Sequence, residues 1–248
     1  MQRLTGDYPA AAASYQQAQA LARDLDDRYW QAWTLNQFGV LRRLAGDHRT
    51  AAASHQQALE TLREIGEPAA QGYCLDNLGL AQQLTGDYQA AAASHQQALQ
   101  LMREAGGPSA EGYACNDLGL AQQETGDYPA AAASHQQALR LMRDAGEPYG
   151  RADVLNSLGE LASRTSATRQ AREHHGQALA IARQIGAPLP EARALEGTGR
   201  SHLQDGHHDE GTSFLRQALA IYQRIGAPAA RRVRDTLASQ GTLTSQGR

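Results

Sequence analysis

Apolar and small side chains recur along this chain at steps of three and four, and glycine interrupts the pattern at nearly regular intervals. That spacing predicts amphipathic helices separated by tight turns. Helices are expected, for example, over residues 68–84 and 88–105, with Leu75, Leu78, Gly79 and Ala81 on one face of the first. Gly86 then supplies the left-handed residue that ends a helix. Asp87 follows as a cap, because its carboxylate can accept from the open amides of the next first turn and sits at the positive end of that helix dipole. Pro9 and Pro129 fall in first turns, where the missing amide hydrogen costs nothing. A second kind of turn reads Gly66-Glu67-Pro68, Gly146-Glu147-Pro148, Gly186-Ala187-Pro188 and Gly226-Ala227-Pro228. Here a helix-ending glycine precedes a proline at the next start.

The two kinds of turn alternate with a period of forty residues. Thr-Gly-Asp-Tyr begins at Thr5, Thr85 and Thr125, and Ala45-Gly46-Asp47-His48 fills the missing step. Residues 66–105 and 106–145 are identical at 29 of 40 positions. Each period therefore holds a helix A and a helix B, and stacking of such pairs buries one continuous core.

Composition agrees and excludes much. Alanine, leucine, glutamine and arginine dominate, a helical set with little for a sheet to use. The 248 residues carry 23 basic and 26 acidic side chains, a net charge of −3, which offers no broad field for nucleic acid. All the basic residues are arginine, so P-loop, Schiff-base and general-base lysines are excluded. No apolar run reaches the roughly 18 residues of a membrane span, and the first residues lack a signal-peptide core. The two cysteines, Cys74 and Cys115, lack zinc or disulfide spacing and read as buried small residues of a cytoplasmic protein.

These residues resemble the tetratricopeptide repeat family, in a forty-residue form, over about residues 4–226. The family's small residue in helix A corresponds to Gly39, Gly79, Gly119, Gly159 and Gly199; that of helix B corresponds to Ala11, Ala51, Ala91, Ala131, Ala171 and Gly211, and a later alanine to Ala18, Ala58, Ala98, Ala138, Ala178 and Ala218. The resemblance implies an all-α fold, a right-handed solenoid of stacked antiparallel helix pairs with the A helices lining a concave groove that holds peptide segments. The expected organisation is one solenoid over residues 1–240. A lone helix B (4–26) is followed by repeats at 27–66, 67–106, 107–146, 147–186 and 187–226, a polar capping helix at 228–240, and a flexible tail at 241–248. Two departures stand out. Thr165-Ser166-Ala167-Thr168 lacks both glycine and aspartate, which predicts a looser turn. Leucine or cysteine (Leu35, Leu75, Cys115, Leu155, Leu195) stands where the family often has an aromatic.

The lone first helix B is expected to leave Ala11, Tyr15, Ala18 and Leu21 partly exposed, either because residue 1 is a cut in a larger protein or because another copy covers the face. The alanine-rich, lysine-free copies are similar to arrays at the C-termini of bacterial transcriptional regulators and signalling ATPases, which implies a sensor or autoinhibitory arm.

No catalytic residue, cofactor or metal is expected. His55, His95, His135 and His175 recur on helix B, but equivalent sites in stacked repeats lie roughly 10 Å apart, too far to share an ion whose ligand atoms sit about 2 Å away. Packing is the expected role. The cluster His202, Asp205, His207, His208 and Asp209 matches no zinc spacing. Binding is expected on the A helices. One site reads Asn36, Asp76, Asn116, Asn156 and Glu196, with Gln37, Asn77 and Asp117 beside it; these are mostly amides, and an asparagine could pair with the backbone of an extended peptide. Trp33, Tyr73, Tyr113, Leu80 and Leu120, with Val40, would add apolar contact, while Glu160, Arg193 and Arg200 bring mixed charge to the last repeats. The expected partner is a protein or peptide segment, or a second copy of the chain, and not nucleic acid or membrane.

Overall fold

The computed structural model describes the backbone of residues 8–246 and the side chains of residues 13–240. Its helices are α1 (Tyr8–Asp24), α2 (Arg28–Leu44), α3 (His48–Ile65), α4 (Pro68–Thr85), α5 (Tyr88–Glu104), α6 (Pro108–Glu124), α7 (Tyr128–Asp144), α8 (Pro148–Arg164), α9 (Thr168–Gln184), α10 (Pro188–Gln204), α11 (His208–Arg224) and α12 (Ala229–Gln246). The described residues contain no strand, so the fold is all-α, with α2, α4, α6, α8 and α10 as the A helices. None of the described helices is long and apolar enough to cross a membrane.

The chain forms two compact units, Met1–Ser134 and His135–Arg248, divided within α7. In the first, each helix from α1 to α6 packs on the next, and α2 also meets α4 as α4 meets α6. In the second, α8 to α12 pack in the same sequential way and α8 meets α10. Each unit thus has an inner row of A helices touching one another across the intervening B helix.

The turns enforce this layering. A left-handed residue follows each A helix at Gly46, Gly86, Gly126 and Gly206, with φ between 81° and 86°. After each, an amide reaches back five residues, as in Asp87 N to Gln82 O at 3.0 Å and His207 N to His202 O at 2.9 Å. This bond satisfies a terminal helix carbonyl and reverses the chain. Asp47, Asp87 and Asp127 then cap α3, α5 and α7, accepting from Thr50, Ala90 and Ala130 amides at 3.3, 3.2 and 3.1 Å.

The turn expected to be loose is not. Ser166 adopts φ 61° in place of glycine, and Ala167 N still bonds Ala162 O at 2.8 Å. The flanking helices impose the left-handed geometry on a residue that disfavours it. Among the described residues no side chain replaces the missing aspartate cap of α9; Asp205 of the next turn instead accepts from the Thr168 hydroxyl at 2.8 Å and pairs with Arg172.

Small side chains let the layers meet. Ala51, Ala91, Ala131 and Ala171, and Ala58, Ala98, Ala138, Ala178 and Ala218, are fully buried. In the last repeat a Cβ on Gly199 or on Gly211 would lie 2.9 Å from the other's carbonyl oxygen, so α10 and α11 approach as closely as backbone allows. At the first helix Tyr15 is half-buried while Ala18 and Leu21 are exposed; the Ala11 side chain lies outside the described residues. At the other end α12 runs past residue 240, where the sequence pattern placed a tail, to Gln246.

Candidate functional site

The A helices carry the candidate site, and buried histidines of the B helices pack against it. His55, His95, His135 and His175 are at most 1% exposed. His55 Nδ1 lies 2.7 Å from Asn36 Oδ1, His95 Nδ1 lies 2.8 Å from Asp76 Oδ1, and His175 Nδ1 lies 3.0 Å from Asn156 Oδ1. The rings press on the small A-helix residue: a Cβ at Gly39, Gly79 or Gly159 would come within 2.5–2.6 Å of the ring of His55, His95 or His175. A glycine is required there because an imidazole fills the space. Where Leu215 replaces the histidine, the partner site holds Glu196 instead of an amide.

Asn36, Asn116 and Asn156 are therefore not a ladder facing a peptide. They are at most 2% exposed, and Asn156 spends its amide hydrogen on Pro190 O at 3.0 Å. That bond turns Asn156 Oδ1 to the ring, so His175 Nδ1 carries the proton. The fixed spacing of nineteen residues between each amide and its histidine is visible in the sequence. What it lacks is the azimuth of helix B against helix A, which decides whether the amide faces a ring or solvent.

Electrostatics separates the pairs. Burial drives His55, His135 and His175 down to about 4, helped by Arg43 at His55 and by Arg193 at the other two. They are neutral near pH 7. Burial also opposes the charged form of His95, but the hydrogen bond to Asp76 and the charges of Asp76 and Asp117 outweigh it and hold this ring above its ordinary range. Gln83 Nε2 reaches His95 Nε2 at 3.1 Å and Asp117 O at 2.9 Å, fixing the ring from its far edge. Buried Cys74 donates to His55 O at 3.0 Å, and burial pushes its thiol up to about 12, so it is an inert core residue.

The accessible part differs between the units. In the first, Tyr73 and Tyr113 are 47% and 36% exposed, with Asp76, Asn77, Leu80 and Leu120 half-buried. Val40 is buried, and Trp33 is half-buried with its ring stacked on Tyr29 at 6.5 Å, so both belong to packing. In the second unit a cleft of about 560 Å³ is lined by Glu160, Arg193, Glu196, Arg200, Tyr222 and Arg232, among others. Its charges are paired: Arg193 with Asp153 and Glu160, and buried Glu196 with Arg200, with Arg232 at 2.9 Å and with the Tyr222 hydroxyl at 2.9 Å. In the last histidine cluster the His202 ring lies 5.8 Å from that of His207 and stacks on Phe214 at 5.5 Å, while Asp205 serves Arg172 and Thr168.

The tetratricopeptide repeat family model matches residues 1–64, 69–144 and 114–184. The chain belongs to this family. Among solved structures the array is similar to BtubC (BKLC) from P. vanneervenii, at 20% identity and TM-score 0.71 over 90% of this chain and 92% of that one. It is also similar to the signal transduction ATPase PH0952 from Pyrococcus horikoshii, described as having a tetratricopeptide repeat sensor, at 16% identity and TM-score 0.68 over 88% of this chain and 34% of that one. A third likeness is to the apo quorum sensor NprR from B. thuringiensis, at 13% identity and TM-score 0.70 over 95% and 65%. No curated protein sequence matches the chain. In this tetratricopeptide array the helix A glycine and the helix B histidine form one packing unit, a coupling that neither residue reveals alone.

Proposed function

We propose that this array is a non-catalytic scaffold that holds a protein or peptide segment along its A helices. The observation that carries the reading is the pair Tyr73 and Tyr113, equivalent residues on α4 and α6 that keep 47% and 36% of their surface exposed while the residues beside them are buried. Large rigid aromatics at an exposed helical row suit anchoring of side chains. Leu80 and Leu120, half-buried on the same helices, extend the apolar strip, and Asn77 offers the backbone-pairing amide that Asn36, Asn116 and Asn156 do not. In the second unit the paired charges of Glu160, Arg193, Glu196 and Arg200 select partners by repelling mismatched charge.

The test is capture from a lysate of the native host on the immobilised chain beside a Tyr73→Ala/Tyr113→Ala variant. A protein retained by the unaltered chain and lost by the variant supports the reading, and equal retention by both removes the tyrosines from it.

A second reading makes the array the sensor arm of a larger regulator. The likeness to the sensor-bearing ATPase, of which this chain covers 34%, and to a quorum sensor favours it. Its ligand would then be a segment of its own protein or a signal peptide. A gene whose product continues beyond this chain into a nucleotide-binding or DNA-binding domain supports it, and a product ending at both limits of this chain opposes it.

A further inference from the structure

We propose that Asp76, His95 and Asp117 form a binding site for one divalent transition-metal ion on the A-helix row of the first unit. This inference does not depend on peptide binding. His95 Nδ1 lies 2.8 Å from Asp76 Oδ1, and one ligand atom from each of the three residues lies within 4.8 Å of the others. An ion held about 2.0–2.2 Å from nitrogen and carboxylate oxygen keeps its ligand atoms roughly 3–4 Å apart, so side-chain rotation alone closes the three on a metal. The imidazole is fully buried, whereas Asp76 and Asp117 are half-buried, which leaves the remaining coordination positions on the open side for water or a ligand group.

Packing does not require this set. The repeats on either side fill the Asp76 position with Asn36 and Asn116, and the Asp117 position with Asn77 and Ser157. Asn36 and Asn156 hold their histidines at 2.7 and 3.0 Å, against 2.8 Å for Asp76 and His95. Neutral residues thus suffice to build the fold, and here two carboxylates flank one ring. A neutral ring leaves the cluster with two negative charges, and a protonated ring still leaves one, so a divalent cation fits the charge better than a proton does. The far edge of the ring is already fixed by the Gln83 amide, which bonds Nε2 at 3.1 Å and Asp117 O at 2.9 Å. Gln83 is a donor at that edge, so an ion on Nδ1, which leaves the ring proton on Nε2, requires this amide to turn aside. The exchange balances simply. The ion takes the place of the proton held between His95 and Asp76, and that proton leaves to solvent. The cluster His202, His207 and His208, which is richer in histidine, brings no such group of three together among the described residues.

The test is titration of the whole chain with Zn²⁺ by calorimetry in buffers of different ionisation enthalpy, with Co²⁺ absorption as a second probe. The comparison is Asp76→Asn/Asp117→Asn, a variant that installs residues already present at equivalent positions. The expected result is one Zn²⁺ per chain with proton release, a Co²⁺ ligand-field band, shifted His95 ring resonances, and affinity lower by roughly 100-fold or more in the variant, whose helicity and melting are retained. No binding by the unaltered chain at millimolar Zn²⁺, or equal binding by the variant, overturns the proposal; the latter would assign the ion to another cluster, such as His202, His207 and His208.

Discussion

The imidazole of His175 lies against Gly197, with Nε2 only 2.1 Å from the point a Cβ at residue 197 would occupy. The ring is held on its other side by Asn156 and pressed on Gly159, so it has no direction in which to retreat. Gly197→Ala is therefore expected to destabilise the array by about 1–3 kcal/mol, the range for overpacking a close-packed core. Urea unfolding measures this. In a His175→Ala background the same substitution is expected to cost less, because the obstructing ring is gone; an equal cost in both backgrounds would contradict the contact.

The neutral histidines make stability depend on pH. His55, His135 and His175 titrate near 4 when folded and near 6.5 when unfolded, so below 6.5 the unfolded chain binds more protons. Their contribution is complete above pH 6.5 and is lost as pH falls toward 4, on the order of 3 kcal/mol for each ring over the whole window. Urea midpoints should drop steadily between pH 6.5 and 5, before most carboxylates protonate. A flat profile there would show that the rings are charged or exposed.

Ser166 holds a left-handed conformation at φ 61°. That conformation costs a non-glycine residue about 1–2 kcal/mol, of which glycine's greater freedom in the unfolded chain returns part. Ser166→Gly is expected to stabilise the array by roughly 0.5–1 kcal/mol, seen as a higher melting temperature. An unchanged or lower value would mean that Ser166 contributes contacts that outweigh its backbone strain.

Glu196 is 5% exposed and joins Tyr222, Arg200 and Arg232. Removing it strands the buried Tyr222 hydroxyl, and Glu196→Ala is expected to cost about 3 kcal/mol. Arg200 is 45% exposed, so Arg200→Ala should cost well under 1 kcal/mol. Thermal melts of the two variants check the order, and equal losses would refute the central position of Glu196.

How much of this was legible in the sequence depends on the kind of constraint. Turns with a glycine, such as Gly86, were readable because a left-handed backbone selects a residue type locally. Ser166 was misread because two flanking helices can force that backbone on a residue that resists it. The packing role of His55 and His175 was readable from their recurrence. The amides were not, since Asn36 and Asn156 look like groove residues until the rotation of one helix against the next turns them to the rings. Likewise Asp76, one of a row of mostly amide residues in the sequence, becomes distinct only when His95 and Asp117 stand beside it.

The central claim is a division of labour on the A helices: buried amides hold the fold, and exposed tyrosines hold the partner. One paired measurement tests it most directly. Asn36→Ala/Asn156→Ala and Tyr73→Ala/Tyr113→Ala are compared with the unaltered chain, each for melting temperature and for retention of the captured partner well below melting. The account predicts that the asparagine variant melts lower and keeps its partner, while the tyrosine variant melts unchanged and loses it. An asparagine variant of unaltered stability that loses the partner would contradict the account and restore the amides to the groove.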